Sequence, residues 1–130
     1  MEIDAEVLIA EARRAQERAY APYSGYRVGA ALLGRSGRIY TGCNVENASY
    51  PLSLCAERAA VAKAISEGER EFLAIAVVTE NGGTPCGACR QVLREFGEEM
   101  VVFIADTHGN SRRFTVRELL PESFGPEFLR

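Results

Sequence analysis

The sequence predicts an α/β domain in three layers, a mixed five-stranded sheet with helices on both faces. Three observations carry this. Residues 72–79 and 100–105 are almost unbroken apolar runs, the pattern of strands covered on both sides. A helical stretch with start and stop signals precedes each run, so that part of the chain asks for parallel strands joined by right-handed crossovers. The turns at 34–37 and 107–110 are too short for a crossover and require antiparallel neighbours.

Taken in order, Asp4 is a cap for a first helix reaching about residue 19. Leu8, Ala12, Ala15 and Ala19 share one face of it, and the small alanines predict close packing on something flat. Residues 20–25 are a loop. Residues 26–33 and 38–44 form an antiparallel hairpin, followed by an irregular loop, 45–52, full of polar side chains. Ser53 is the expected N-cap of a second helix, with Cys55 and Glu57 in its first turn and Gly68 at its end. After strand 72–79 and the Asn81-Gly82-Gly83 turn, Thr84 is expected to cap a third helix with Pro85 at its first position. Val92, Leu93 and Phe96 are its buried side and Gly97 its stop. Strand 100–105, an antiparallel strand 112–116, a helical turn 117–120 and a tail 121–130 complete the chain. There is no repeat or linker, so residues 1–130 read as one domain.

Composition excludes several classes of protein. Hydrophobic content of 47% and charged content of 25% are ordinary globular values, and the net charge of −3 gives no general attraction to nucleic acid or membrane. No apolar run is long enough to span a bilayer. The acidic start of the chain lacks the basic segment of a secretory signal, so a cytoplasmic location is expected. In that compartment the four cysteines are expected to be ligands, catalysts or buried thiols rather than disulfides.

The chemistry concentrates in two stretches, Cys55-Ala56-Glu57-Arg58 and Pro85-Cys86-Gly87-Ala88-Cys89. Cys86 and Cys89, three residues apart at a helix start, point the same way, and a helix N-terminus favours the thiolate. Cys55 holds the equivalent place on the other helix. Parallel crossovers can bring both helix starts to one end of the sheet. Three thiolates suit Zn²⁺ and leave its fourth position open, the arrangement of a catalytic site. Glu57, two residues from a ligand, is placed to carry a proton. Arg58 could donate to the thiolate sulfurs and offset their charge. A lone C-x-x-C is also the pattern of a redox pair, but that reading leaves Cys55 and Glu57 without a role. A closed four-thiolate site would need Cys43, which as a strand-end residue reads as a buried thiol. His108 reads as a solvated turn residue.

With those motifs in place, nearly the whole chain resembles the small, homotetrameric, zinc-dependent cytidine deaminases. The resemblance extends through Tyr20-Ala21-Pro22-Tyr23-Ser24, Val28-Gly29-Ala30-Ala31-Leu32, Gly42-Cys43-Asn44-Val45-Glu46-Asn47-Ala48 and Glu118-Leu119-Leu120-Pro121. It implies the cytidine deaminase-like version of the fold above. It also implies hydrolytic deamination of cytidine and deoxycytidine in pyrimidine salvage, with Cys55, Cys86 and Cys89 on zinc and Glu57 as acid and base.

The resemblance further implies that Asn44 and Glu46 bind the ribose 3′-OH and that the Ala56 N–H meets the pyrimidine carbonyl. Tyr26 stands where the family carries an aromatic, usually Phe, against sugar and base. Tyr50 and Phe124 match aromatics that reach a neighbouring subunit's site. The expected partners are thus a small nucleoside and other copies of the chain, with no nucleic acid and no membrane. An aminonucleoside deaminase of the blasticidin S type shares the zinc motifs, but the 44–48 loop carries the ribose-reading Glu. A polynucleotide deaminase would need basic grooves and stacking platforms, and this chain is acidic and lacks Trp. The non-enzymatic alternative is a structural zinc module.

Overall fold

The computed structural model describes residues 2–130. Helix α1, Ala5–Gln16, starts where the Asp4 side chain accepts from the Val7 N–H. Strands β1, Gly29–Gly34, and β2, Ile39–Cys43, follow, then helix α2, Ala56–Ser66, and strand β3, Phe72–Val78. Helix α3, Gly87–Arg94, strand β4, Val101–Ala105, strand β5, Ser111–Thr115, and the short helix α4, Val116–Leu119, complete the order. The five strands form one sheet in the order β2-β1-β3-β4-β5. β1 is antiparallel to both β2 and β3, β3 is parallel to β4, and β4 is antiparallel to β5. β2, β3 and β4 therefore run the same way, and the β2-α2-β3 connection passes over β1.

Alternation along the strands divides the core between two faces. Ala30, Leu32, Ile75, Val77, Val102 and Ile104 meet α2 and α3 through Ala60, Val61, Ala64 and Leu93. Ala31, Leu33, Ala74, Ala76, Val78 and Phe103 meet α1 through Leu8 and Ala12. Full burial of Leu8 alone contributes about 2 kcal/mol.

The contacts with the sheet are close, as the alanines of α1 predict. A Cβ on Gly29 would lie 2.0 Å from the Ala12 carbonyl oxygen, and one on Gly42 would lie 2.6 Å from both the Ala56 oxygen and the Ala60 nitrogen. Glycine at 42 thus lets the start of α2 rest directly on β2. β5, at one edge, exposes Arg112 and Arg113, charges that discourage pairing with another sheet.

Several boundaries differ from expectation. α1 ends at Gln16, and 17–19 continue as tighter i→i+3 turns before Tyr20 bonds to the Asn44 carbonyl. β1 begins at Gly29, not Tyr26. Neither Ser53 nor Thr84 is the N-cap of the helix that follows it. Leu54 pairs with Val45 in extended form, and the Ser53 hydroxyl accepts from the Asn47 N–H at 3.1 Å. The Thr84 hydroxyl is taken by Arg90 at 2.8 Å. The N-caps are instead Cys55 and Cys86, both extended. Val116 leaves the last strand for α4 because Thr115 and Glu118 form a capping box there. The tail ends in a 3₁₀ turn, Pro126–Leu129.

Gly42→Ala should destabilise the protein by roughly 1–3 kcal/mol, because backbone on the α2 side has to move to admit the methyl group. Chemical denaturation of the two proteins side by side measures this, and an unchanged midpoint would show that the close approach is dispensable.

Candidate active site

The two cysteine N-caps stand at the C-terminal ends of parallel strands, where open α/β sheets gather their ligands. Cys89 is the third residue of α3, and an N-cap and N3 side chain face one another, the spacing that capping boxes use. The Sγ atoms of Cys55, Cys86 and Cys89 lie within 4.8 Å of one another. Tetrahedral zinc–thiolate bonds put sulfur pairs about 3.8 Å apart, so the cluster is close to that spacing. Cys89 is fully buried, Cys55 half-buried and Cys86 exposed to the cavity. Cys43 is half-buried rather than buried and stands outside the cluster, and His108 is an exposed turn residue whose N–H donates to Asp106.

Charge around the sulfurs also suits a cation. The Cys55 thiol is pulled down to about 5, first by a hydrogen bond from Cys89 and then by the Arg58 guanidinium. Cys89 is pushed well above the ordinary thiol range by the same hydrogen bond and by burial. One thiolate thus shares the protons of its neighbours, and a divalent cation takes the place of those protons. An Arg58 terminal nitrogen lies 3.5 Å from Cys55 Sγ, and its Nε–H is buried without an acceptor. The donor set, three thiols at two helix N-termini beside a guanidinium, fits zinc.

A cavity of about 450 Å³ opens over this cluster. Tyr26, Asn44, Glu46, Tyr50, Ala56, Glu57, Arg58, Cys55 and Cys86 all line it, so most of the sequence-predicted residues meet at one place. Glu57 is only 4% exposed. Burial pushes its carboxyl up to about 7; the Cys55 thiolate adds to the shift, while its own backbone N–H and Arg58 oppose it. Ala56 is the first residue of α2, so its N–H has no intrahelical acceptor.

The residues expected to meet the sugar are also structural. Asn44 Oδ1 accepts from the Val28 N–H at 2.9 Å, and its Nδ2 donates to the Tyr26 carbonyl at 2.8 Å. One N–H and one lone pair of the amide remain for a ligand. Glu46 accepts from the N–H groups of Tyr23 and Ser24 at 2.9 and 3.1 Å, and from the Ser24 hydroxyl. The Ser24 bonds hold its carboxyl below the usual range.

Tyr50 lines the cavity of its own chain, whereas Phe124 does not line it and stacks on Phe128 at 5.5 Å. Thr79 and Ser24 also line the cavity and went unassigned in the sequence. Ser24 lies in the 20–24 motif, which could have signalled it. Thr79 showed only as a polar residue ending an apolar run.

Three clustered thiols and a buried carboxylate around one cavity suit a zinc enzyme. The family model described as the cytidine and deoxycytidylate deaminase zinc-binding region matches residues 2–105, and the chain belongs to that family. A cytidine deaminase of Sporosarcina psychrophila is 50% identical over 130 residues, 98% of this chain and 96% of the relative. The crystal structure of cytidine deaminase from Burkholderia pseudomallei superposes with a TM-score of 0.90 at 47% identity, covering 94% of this chain and 100% of that one. That from Mycobacterium tuberculosis gives 0.83 at 44% identity, covering 95% and 99%.

Two outcomes are expected. Arg58→Gln should weaken zinc retention about 10- to 100-fold in competition with a chelator, the usual effect of losing a group that supports a ligand; wild-type retention would remove Arg58 from that role. Glu46 has a folded carboxyl below its ordinary value, so its stabilisation is present at neutral pH and is lost as acid protonates it. Melting temperature should therefore fall with acid below about pH 5 by less in Glu46→Gln than in wild type, and parallel profiles would contradict this.

Proposed function

We propose that the protein deaminates cytidine and deoxycytidine hydrolytically, giving uridine or deoxyuridine and ammonia. The observation that carries this reading is one cavity lined by Cys55, Cys86 and a buried Glu57, with Cys89 directly behind them. Zinc held by the three thiolates supplies the Lewis acidity that makes water a nucleophile at neutral pH.

The chain's own groups do the rest. Glu57 takes a proton from the attacking water and delivers it to N3 of the pyrimidine; it then takes the remaining proton of the new C4 hydroxyl and gives it to the amine, so that the C4–N bond breaks, ammonia leaves and a C4 carbonyl forms. Its desolvated position suits a group that must hold and release protons near neutrality. The Ala56 N–H donates to the pyrimidine carbonyl. Asn44 and Glu46 take the ribose 3′-OH with the capacity their structural bonds leave free, and Tyr26 covers sugar and base. Arg58 offsets the negative charge of three thiolates.

Residues 1–130 act as one catalytic domain in pyrimidine salvage in the cytoplasm, assembled as a homotetramer with shared sites. Exposed aromatic surface supports the assembly: Tyr50, Phe124 and Phe128 are 56%, 56% and 64% exposed. In it, Phe124 reaches toward a neighbour's site, whereas Tyr50, expected to do the same, lines the cavity of its own chain. Among the described residues no helix is long and apolar enough to cross a membrane. Zinc chemistry alone would also serve a blasticidin S-type deaminase; the Glu46 carboxylate on the cavity wall favours the nucleoside with a free ribose.

Cytidine deamination followed by absorbance, with and without a zinc chelator, is the direct test, with blasticidin S as the competing substrate. Turnover of cytidine that disappears on chelation is expected, and zinc binding with no turnover would leave a structural zinc module. Glu57→Gln should keep zinc while kcat falls by at least about 100-fold; retained turnover would take the proton-carrying role from Glu57. Truncation before Phe124 should raise KM, and unchanged kinetics would exclude that residue from a shared site.

A further inference from the structure

Tyr26 is 37% exposed, yet it is held at both ends. Its N–H donates to the Ser24 hydroxyl at 3.0 Å and its carbonyl accepts from Asn44 Nδ2 at 2.8 Å. At the far end of the ring, its hydroxyl donates to Asn81 Oδ1 at 2.8 Å. We propose that this last bond is a positioning device. The Tyr26–Asn81 tie holds the ring on the cavity wall and joins the sugar side of the site to the loop leading into Cys86.

The loop is built to receive it. Thr79 Oγ1 accepts from the N–H groups of Gly82 and Gly83 at 2.8 and 3.0 Å, which folds 79–83 into the turn presenting Asn81. The chain passes so near the tyrosine that a Cβ on Gly83 would lie 2.6 Å from the Tyr26 hydroxyl oxygen. The other side chains bonded to this loop approach from elsewhere: Arg112 of β5 to the Gly82 carbonyl, Thr107 to the Glu80 carbonyl, and Arg90 of α3 to Thr84. Tyr26 supplies the bond from the substrate side. Tyr26, Thr79, Gly83, Thr84 and Cys86 all line the cavity, so the tie closes its wall between Asn44 and the metal ligands. A phenylalanine at 26 would keep the ring and lose the tie.

The kinetic part of the test rests on the cytidine reading; a second measurement does not. Tyr26→Phe and Asn81→Ala should each raise KM for cytidine about three- to tenfold, the size of one lost hydrogen bond, with the change in KM rather than kcat. The double variant should be no worse than Asn81→Ala alone, which loses both the Tyr26 bond and a long 3.5 Å bond from the Thr79 hydroxyl, because Tyr26→Phe removes nothing further from Asn81. Asn81→Asp keeps an acceptor and should stay near wild type. Independently of any substrate, amide hydrogen exchange over residues 80–86 should speed up in Tyr26→Phe while zinc content is retained. Unchanged exchange there overturns the proposal. So does a wild-type KM in Tyr26→Phe, or additive losses that follow melting temperature. Absence of cytidine turnover in the wild-type protein would instead overturn the functional reading, leaving hydrogen exchange to decide the tie.

Discussion

The site depends on two helices that begin on cysteine. An N-cap residue has extended backbone and sits where the helix's free N–H groups and partial positive charge are concentrated. Placing Cys55 and Cys86 there aims both sulfurs out of the helix ends, and the third helical residue of α3 adds Cys89 beside Cys86. The three sulfurs meet because the backbones meet. α2 rests on β2 at Gly42 with no side chain between them, and β2 and β3 end on the same side of the sheet.

Two carboxylates line the same cavity in opposite environments. Glu46 is surrounded by donors, two backbone N–H groups and a hydroxyl, that favour its charged form. Glu57 is buried beside a thiolate, and both influences favour the protonated form. The first therefore serves as a fixed anion that orders the 20–25 loop and can meet a hydroxyl, while the second is suited to exchanging protons. Residue type alone does not separate these roles; the surroundings do.

Helix α3 carries this order to the far end of the chain. Its first turn holds Cys89, and its last turn buries Arg94, which bonds to Ser123 and Glu127 of the tail. Gly125 passes so close that a Cβ there would lie 2.3 Å from the guanidinium, and Gln91 donates to the Phe124 carbonyl at 2.9 Å. The tail is thereby pinned to the helix that holds two of the thiols, with its phenylalanines turned outward. Burying a guanidinium is costly unless its donors are met, and the tail meets them.

The sequence by itself determined the fold class and the three cysteines whose sulfurs cluster as a donor set suited to zinc. Strands β3 and β4 were legible because burial on both faces leaves no polar positions between residues 72 and 78 or 101 and 105. The thiols and Glu57 were legible because few chemistries need those residues at those spacings. Asp4 was legible as the cap of α1, but only the tertiary structure decided which residues cap α2 and α3. Ser53 and Thr84 are good caps in isolation, but the Asn47 N–H and Arg90 take their hydroxyls, and the cysteines cap instead. The place of β1 between β2 and β3, the double use of Asn44 and the Tyr26–Asn81 bond were likewise hidden. Each joins residues far apart in the chain, and periodicity reports only on neighbours.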